Sequence, residues 1–133
     1  MVIGTVRTAL KTALDTISGL RCYDVFPDSL SPPAAIVGMP TSVAYDTVLM
    51  RHADTATFPI RILVGKATDA AAQRRLDIYL ASSGSDSVKE VLETANPGSD
   101  YNVLRVLSAQ GMGVYTYNGI DYLGVEFTVE VVG

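Results

Sequence analysis

One cysteine and one histidine occur in 133 residues, and that scarcity excludes more chemistry than any motif in the chain suggests. Cys22 alone forbids an internal disulfide and fits a reducing cytoplasm. On a strand its plain role is a small buried apolar side chain. His52 sits in a predicted loop beside Arg51, with Asp54 two residues on. A metal centre needs several converging ligands, and neither a second histidine nor a nearby cysteine is available. Any Ser-His-Asp or Cys-His relay would have to use His52 as its base, and no Gly-x-Ser-x-Gly elbow accompanies it. Gly65-Lys66 lacks the rest of a phosphate loop, and Gly111-x-Gly113 lacks the third glycine and the helix of a dinucleotide fingerprint. Glu126 and Glu130 share a strand face, as alternation places glutamates on any solvated strand. The sequence therefore predicts no catalytic residue, no cofactor and no metal.

Long apolar runs are missing too. Nothing approaches the ~18 residues of a membrane span, and the N-terminus lacks a signal peptide's basic-then-apolar layout. Basic residues are outnumbered, 10 Lys and Arg against 14 Asp and Glu, for a net charge of −4. Arg74-Arg75 is the only adjacent basic pair. A nucleic-acid-gripping domain usually carries a basic face, so direct DNA binding is disfavoured, whereas a passage that DNA slides through without sticking is compatible with acidity. With 48% hydrophobic and 18% charged residues, the chain is not intrinsically disordered. It reads as one domain over 1–133, without repeats, linkers or low-complexity tracts.

What is present is architectural, and clearest at the C-terminal end. Asn118-Gly119 is the favoured pair for a two-residue type I′ turn, whose central positions both need φ > 0. Beyond it Leu123, Val125, Phe127, Val129 and Val131 alternate with Tyr122, Gly124, Glu126, Thr128 and Glu130. That period of two predicts a hairpin with one core face and one face toward water or a partner.

The remainder alternates between helical and extended patterns. Val6, Leu10, Ala13, Leu14 and Ile17 predict an amphipathic helix over 2–17, stopped by Ser18-Gly19. Short strands are expected at 20–26 and 34–39, separated by a proline-stiffened loop, with a bent strand over 41–49. Residues 55–64 read as a clean strand whose Pro59 predicts a sheet edge or a bulge. Thr68 or Asp69 caps a helix that buries Ala72, Leu76, Tyr79 and Leu80. Ser87 to Glu90 has the spacing of a capping box and opens a short helix over Val88, Val91, Leu92 and Ala95. Residues 101–117 predict one long strand or two, with a bulge at Gly111-Met112-Gly113 resetting the phase. The sum is an α+β domain. Its mostly antiparallel sheet carries the N-terminal helix and two mid-chain helices on one face.

Tyrosines cluster at the hairpin tip. A two-residue loop sets Tyr117 opposite Ile120 and Tyr115 opposite Tyr122, all on the face away from the Leu123–Val131 stripe. Aromatics on a nominally wet face either stiffen the hairpin as cross-strand pairs or form a protein interface. Met50, at a polar loop tip with Arg51 and His52, likewise reads as a contact residue.

Several segments resemble a known family. They are Tyr23-Asp24-Val25-Phe26-Pro27-Asp28, Pro32-Pro33-Ala34-Ala35-Ile36-Val37-Gly38, Phe58-Pro59-Ile60-Arg61-Ile62-Leu63-Val64-Gly65, Ala72-Gln73-Arg74-Arg75-Leu76-Asp77-Ile78-Tyr79-Leu80, Ser87-Val88-Lys89 and the run from Tyr122 to Val131. In order, spacing and total length they resemble small neck and tail proteins of long-tailed phages that infect actinobacteria, and the tail terminator (head-to-tail connector complex) protein in particular. The resemblance spans most of the chain, although each segment alone is a weak motif. It implies an α+β subunit of a hexameric ring that caps the tail tube, stops its polymerisation and offers a docking surface to the head connector. It implies homo-oligomerisation, tail tube and connector or head-closure proteins as partners, and DNA passing only through the lumen, in the virion neck after assembly in the host cytoplasm. No catalytic residue belongs to that family. Candidate interface residues are Tyr45, Met50, Arg51 and His52 in one loop, and Tyr115, Tyr117, Asn118, Gly119 and Tyr122 at the tip. Two other readings stay open: a head-closure or adaptor ring of the same joint, and a non-viral ligand-binding α+β domain.

Overall fold

Apolar side chains at helical and two-residue spacing can be buried together only if helices stack on a sheet, and that is the observed arrangement. A computed structural model describes residues 1–45 and 54–133. The elements are α1 (Ile3–Leu14), β1 (Arg21–Tyr23), β2 (Ala34–Val37), β3 (Ser42–Ala44), β4 (Thr55–Lys66), α2 (Ala70–Leu80), α3 (Val88–Thr94), β5 (Val103–Tyr117) and β6 (Ile120–Val132). The strands form one sheet of order β1-β2-β4-β6-β5, with β3 pairing β4 beyond the end of β2. Every pairing is antiparallel except β1 with β2. The α+β architecture expected from the sequence is the one found.

All three helices pack on the same sheet face. Val6, Leu10 and Leu14 of α1, Ala72, Leu76 and Tyr79 of α2, and Val88 and Leu92 of α3 join Ala56, Phe58, Ile60, Ile62 and Val64 of β4. Val125, Phe127, Val129 and Val131 of β6 complete this core, as their alternation predicts. Cys22 lies in it, and burial pushes its thiol up to about 12, consistent with an inert apolar role.

Caps fix the ends of the two later helices. The Asp69 carboxylate accepts from the Ala71 N–H at 2.9 Å, so Asp69 and not Thr68 is the α2 N-cap. Ser87 Oγ accepts from the Glu90 N–H, but the box is not reciprocal. The Glu90 carboxylate turns back to the Gly84 N–H, because the Ser87 N–H already donates to the Gly84 carbonyl.

Several boundaries differ from the sequence expectation. α1 ends at Leu14, yet Ile17 in the following turn is still buried. β1 stops at Tyr23, leaving Val25 and Phe26 exposed in the loop that follows. β3 is three residues long, and the rest of the expected 41–49 strand, from residue 46, lies outside the described residues. Residues 103–117 form one strand, with register shifts at Val106/Ser108 and Gln110/Gly113. Gly111 takes φ +66° in the second, at the expected bulge.

Pro59 corrects the expectation of an edge. It lies in the middle of β4, a central strand. In an antiparallel ladder a residue's N–H and C=O point the same way, and the Pro59 carbonyl accepts from the Gly38 N–H. Its missing donor therefore faces the β2/β3 side, where β2 has ended at Val37 and β3 begins only at Ser42. No ladder bond is forfeited there. The irregularity in β4 comes later, between Leu63 and Gly65.

Candidate interaction surface

The face of the sheet turned away from the helices decides what the tyrosines can do. Ala34, Ile36, Leu63 and Tyr122 are buried on it, apart from the helix-covered core. The 24–33 segment crosses this face. Phe26 shares a small cavity of about 60 Å³ with Ile36, Gly38, Pro59, Arg61 and Glu126. Further along, the Pro27 carbonyl accepts from the Tyr117 hydroxyl, and the Asp28 carbonyl accepts from the Asn118 side-chain amide. The hairpin tip is thus clasped to a loop about ninety positions earlier in the chain.

The turn itself is as read from the sequence: Asn118 has φ +50° and Gly119 φ +78°. Tyr115 faces Tyr122 and Tyr117 faces Ile120. Between the strands Gly113 pairs with Gly124, which leaves space where the Tyr115 ring settles. A Cβ on Gly124 would meet the Ile62 carbonyl oxygen at 2.5 Å and the Tyr115 ring at 3.0 Å. Over that ring lies the Arg61 guanidinium, 4.7 Å from the ring centroid, close enough for a cation–π contact. Arg61 also pairs with Glu126 at 3.3 Å. The Tyr115 hydroxyl donates to the Gly111 carbonyl at 2.7 Å and so pins the bulge.

These contacts sort the candidate residues. Tyr45, three-quarters exposed, and the turn residues Asn118 and Gly119 are on the surface. Tyr115 and Tyr117 are half-buried. Tyr122 is 6% exposed, which corrects the expectation that the whole tyrosine cluster lies on an open face. Met50, Arg51 and His52 lie outside the described residues.

A surface that residue-by-residue reading missed runs along β5. Among the described residues this strand has a neighbour on one side only, and it carries Val103, Leu107, Met112 and Val114 as exposed apolar side chains. Its half nearest Val103 is guarded. The Val106 N–H, pointing away from β6, donates to the Glu93 carboxylate of α3 at 3.0 Å. Lys89 and this N–H together hold the Glu93 carboxyl below the usual carboxylate range. Beyond the Gly111 bulge no such cover exists among the described residues. There a groove of about 550 Å³ opens between α2 and the hairpin, floored by Leu76, Leu80, Leu123 and Met112 and flanked by Asp69 and Asp77.

A second groove, of about 610 Å³, runs beside α1 along Thr5, Thr8, Thr12 and Thr16 to Tyr101. The hydroxyls of Thr12 and Thr16 donate back to carbonyls of their own helix or its end, and that of Thr8 is shared between the Gly4 carbonyl and the Asp24 carboxylate. Among the described residues no three of His, Cys, Asp and Glu gather as a metal site would need. None of the described helices is long and apolar enough to cross a membrane. No family model matches the sequence, and neither does any curated protein.

Proposed function

We propose that this chain is a structural subunit of a phage head-to-tail joint, a tail-terminator-like protein that caps the tail tube and receives the head connector. The reading starts from the ordered segments that resemble that family. It gains support from one structural observation: the hairpin tip is a braced projection. Tyr117, Asn118, Arg61 and Tyr115 tie it to the loop and sheet beneath, so a partner docking there meets a preformed surface and little ordering entropy is lost. Six copies would close through heterologous contacts, each patch meeting a different one on its neighbour, with a rotation of about 60° per subunit. One ring face would mimic a tube subunit, and the other would offer nothing on which another tube disc can add.

The test is a phage lacking this gene, viewed by electron microscopy. Over-long, irregular tubes are the expected phenotype. Finished tails of normal length beside leaking heads would instead assign the chain to head closure.

A further inference from the structure

We infer that the outer edge of β5 beyond the Gly111 bulge, together with the acidic groove beside α2, is a strand-acceptor site. Its occupant is an extended segment of a different protein in which every second residue, the set that faces α2, is apolar and basic in turn. The argument begins with backbone parity. In a two-residue hairpin the residues flanking the turn exchange both ladder bonds, so Tyr117, Tyr115 and Gly113 bond to β6. Val114 and Thr116 then point their N–H and C=O groups outward. Independent support comes from Asp121, which lies opposite Thr116: its carbonyl accepts from the Ala67 N–H on the far side of β6, so Thr116 must face the other way. An unpaired row of this kind is a template for an added strand.

The fold treats the two halves of this edge differently. Near Val106 the row is closed by the Glu93 carboxylate. At Val114 and Thr116 no group among the described residues performs that task. Side chains set the chemistry of the occupant. Val114 is 60% exposed and Met112 57%, so alternate residues of an incoming strand gain apolar contact on the side of α2. The groove walls carry Asp69 and Asp77 and no Lys or Arg. Asp121, on the same side of the hairpin as Leu123, adds a carboxylate at the strand edge itself, where it accepts from the Thr116 hydroxyl at 2.7 Å. A basic residue at another of the α2-facing positions, two residues along from an apolar one, is attracted there. A second copy is disfavoured, because pairing two β5 edges would bring two acidic grooves together in a chain of net charge −4.

This inference rests on the assembly reading only for the source of the strand; the site can be tested on the isolated protein. The probe is a synthetic eight-residue peptide in which threonine alternates with valine and lysine in turn (Thr-Val-Thr-Lys-Thr-Val-Thr-Lys), so that valine and lysine share one face; it is titrated into the labelled protein and followed by amide NMR. Saturable shifts confined to residues 109–117 and the α2 groove are expected, with exchange of the Val114 and Thr116 amides slowed at least tenfold. A peptide with aspartate in place of lysine should bind at least tenfold more weakly. Val114→Pro removes one outward donor and no β6 bond, and should abolish binding. Asp77→Lys, an exposed change on α2 that leaves the hairpin intact, should weaken the lysine peptide severalfold and guards against misfolding of the proline variant. Shifts elsewhere, no binding at millimolar peptide, or equal binding of both peptides would overturn the proposal. So would concentration-dependent shifts at 113–117 without peptide, which would assign the edge to a second copy. None of these results bears on tail length in the deletion phage, so the two readings can fail separately.

Discussion

The two faces of this sheet are covered by different means. On one side three helices bury Phe58, Ile60, Val125 and Val129 completely, and cohesion comes from apolar area at about 25 cal/mol per Å² together with close packing. On the other side an irregular segment, 24–33, lays Phe26 beside Ile36 and is held by two hydrogen bonds to the hairpin tip and one from Thr8 to Asp24. A helix satisfies its own backbone and needs only an apolar stripe to dock. A loop without internal hydrogen bonds must find partners elsewhere, and the hairpin supplies them. The first face should therefore fail globally when damaged, and the second should open locally first.

Phe58→Ala is the most severe way to test that difference. It empties a fully buried ring position in the helix-covered core and should cost about 3–5 kcal/mol, read as a fall in the denaturant midpoint with every probe moving together. A loss below about 1 kcal/mol would show that the core is not where the stability resides.

An intermediate effect is expected at Gly124. The added methyl of Gly124→Ala meets the Ile62 carbonyl oxygen at 2.5 Å and the Leu63 side chain at 2.8 Å, and a backbone oxygen in a central strand cannot step aside. The cost should be about 1–3 kcal/mol, accompanied by loss of the Tyr115–Arg61 stack, visible in the aromatic NMR signals. A neutral result would mean that β4 and β6 separate more readily than a shared ladder permits.

The mildest change, Tyr117→Phe, removes only the hydroxyl that donates to Pro27. About 0.5–1.5 kcal/mol is expected, appearing as faster hydrogen exchange around residues 24–31 while the amides of β4 keep their protection. If β4 exchanged faster to the same degree, the two faces would form one cooperative unit and the contrast between them would dissolve.

Legibility followed the range of each interaction. The Asn118-Gly119 turn, the α2 cap to within Thr68 or Asp69, and the Val125–Val131 alternation are local, because a turn needs two residues with φ > 0 and a strand repeats every two positions. Pro59 was legible as a missing donor, but its place was misread. Sequence does not say which side of the strand the missing N–H faces, nor that β2 ends there. The tyrosine tip was legible as a cluster sharing one face. Its burial was not, since the covering loop lies about ninety residues away and carries no pattern of its own.

By itself the chain's order of residues determined the α+β class, the Ser87 cap, the hairpin with its turn and the apolar stripe that becomes the core. These follow from backbone periodicity and from side-chain chemistry within a few positions. Only the tertiary structure decided that Pro59 sits harmlessly in a central strand, that Tyr122 is buried, and that β5 is guarded by Glu93 at one end and, among the described residues, open at the other. Each of those depends on which distant segment lies alongside, and a free or covered strand edge is a property of neighbours in space.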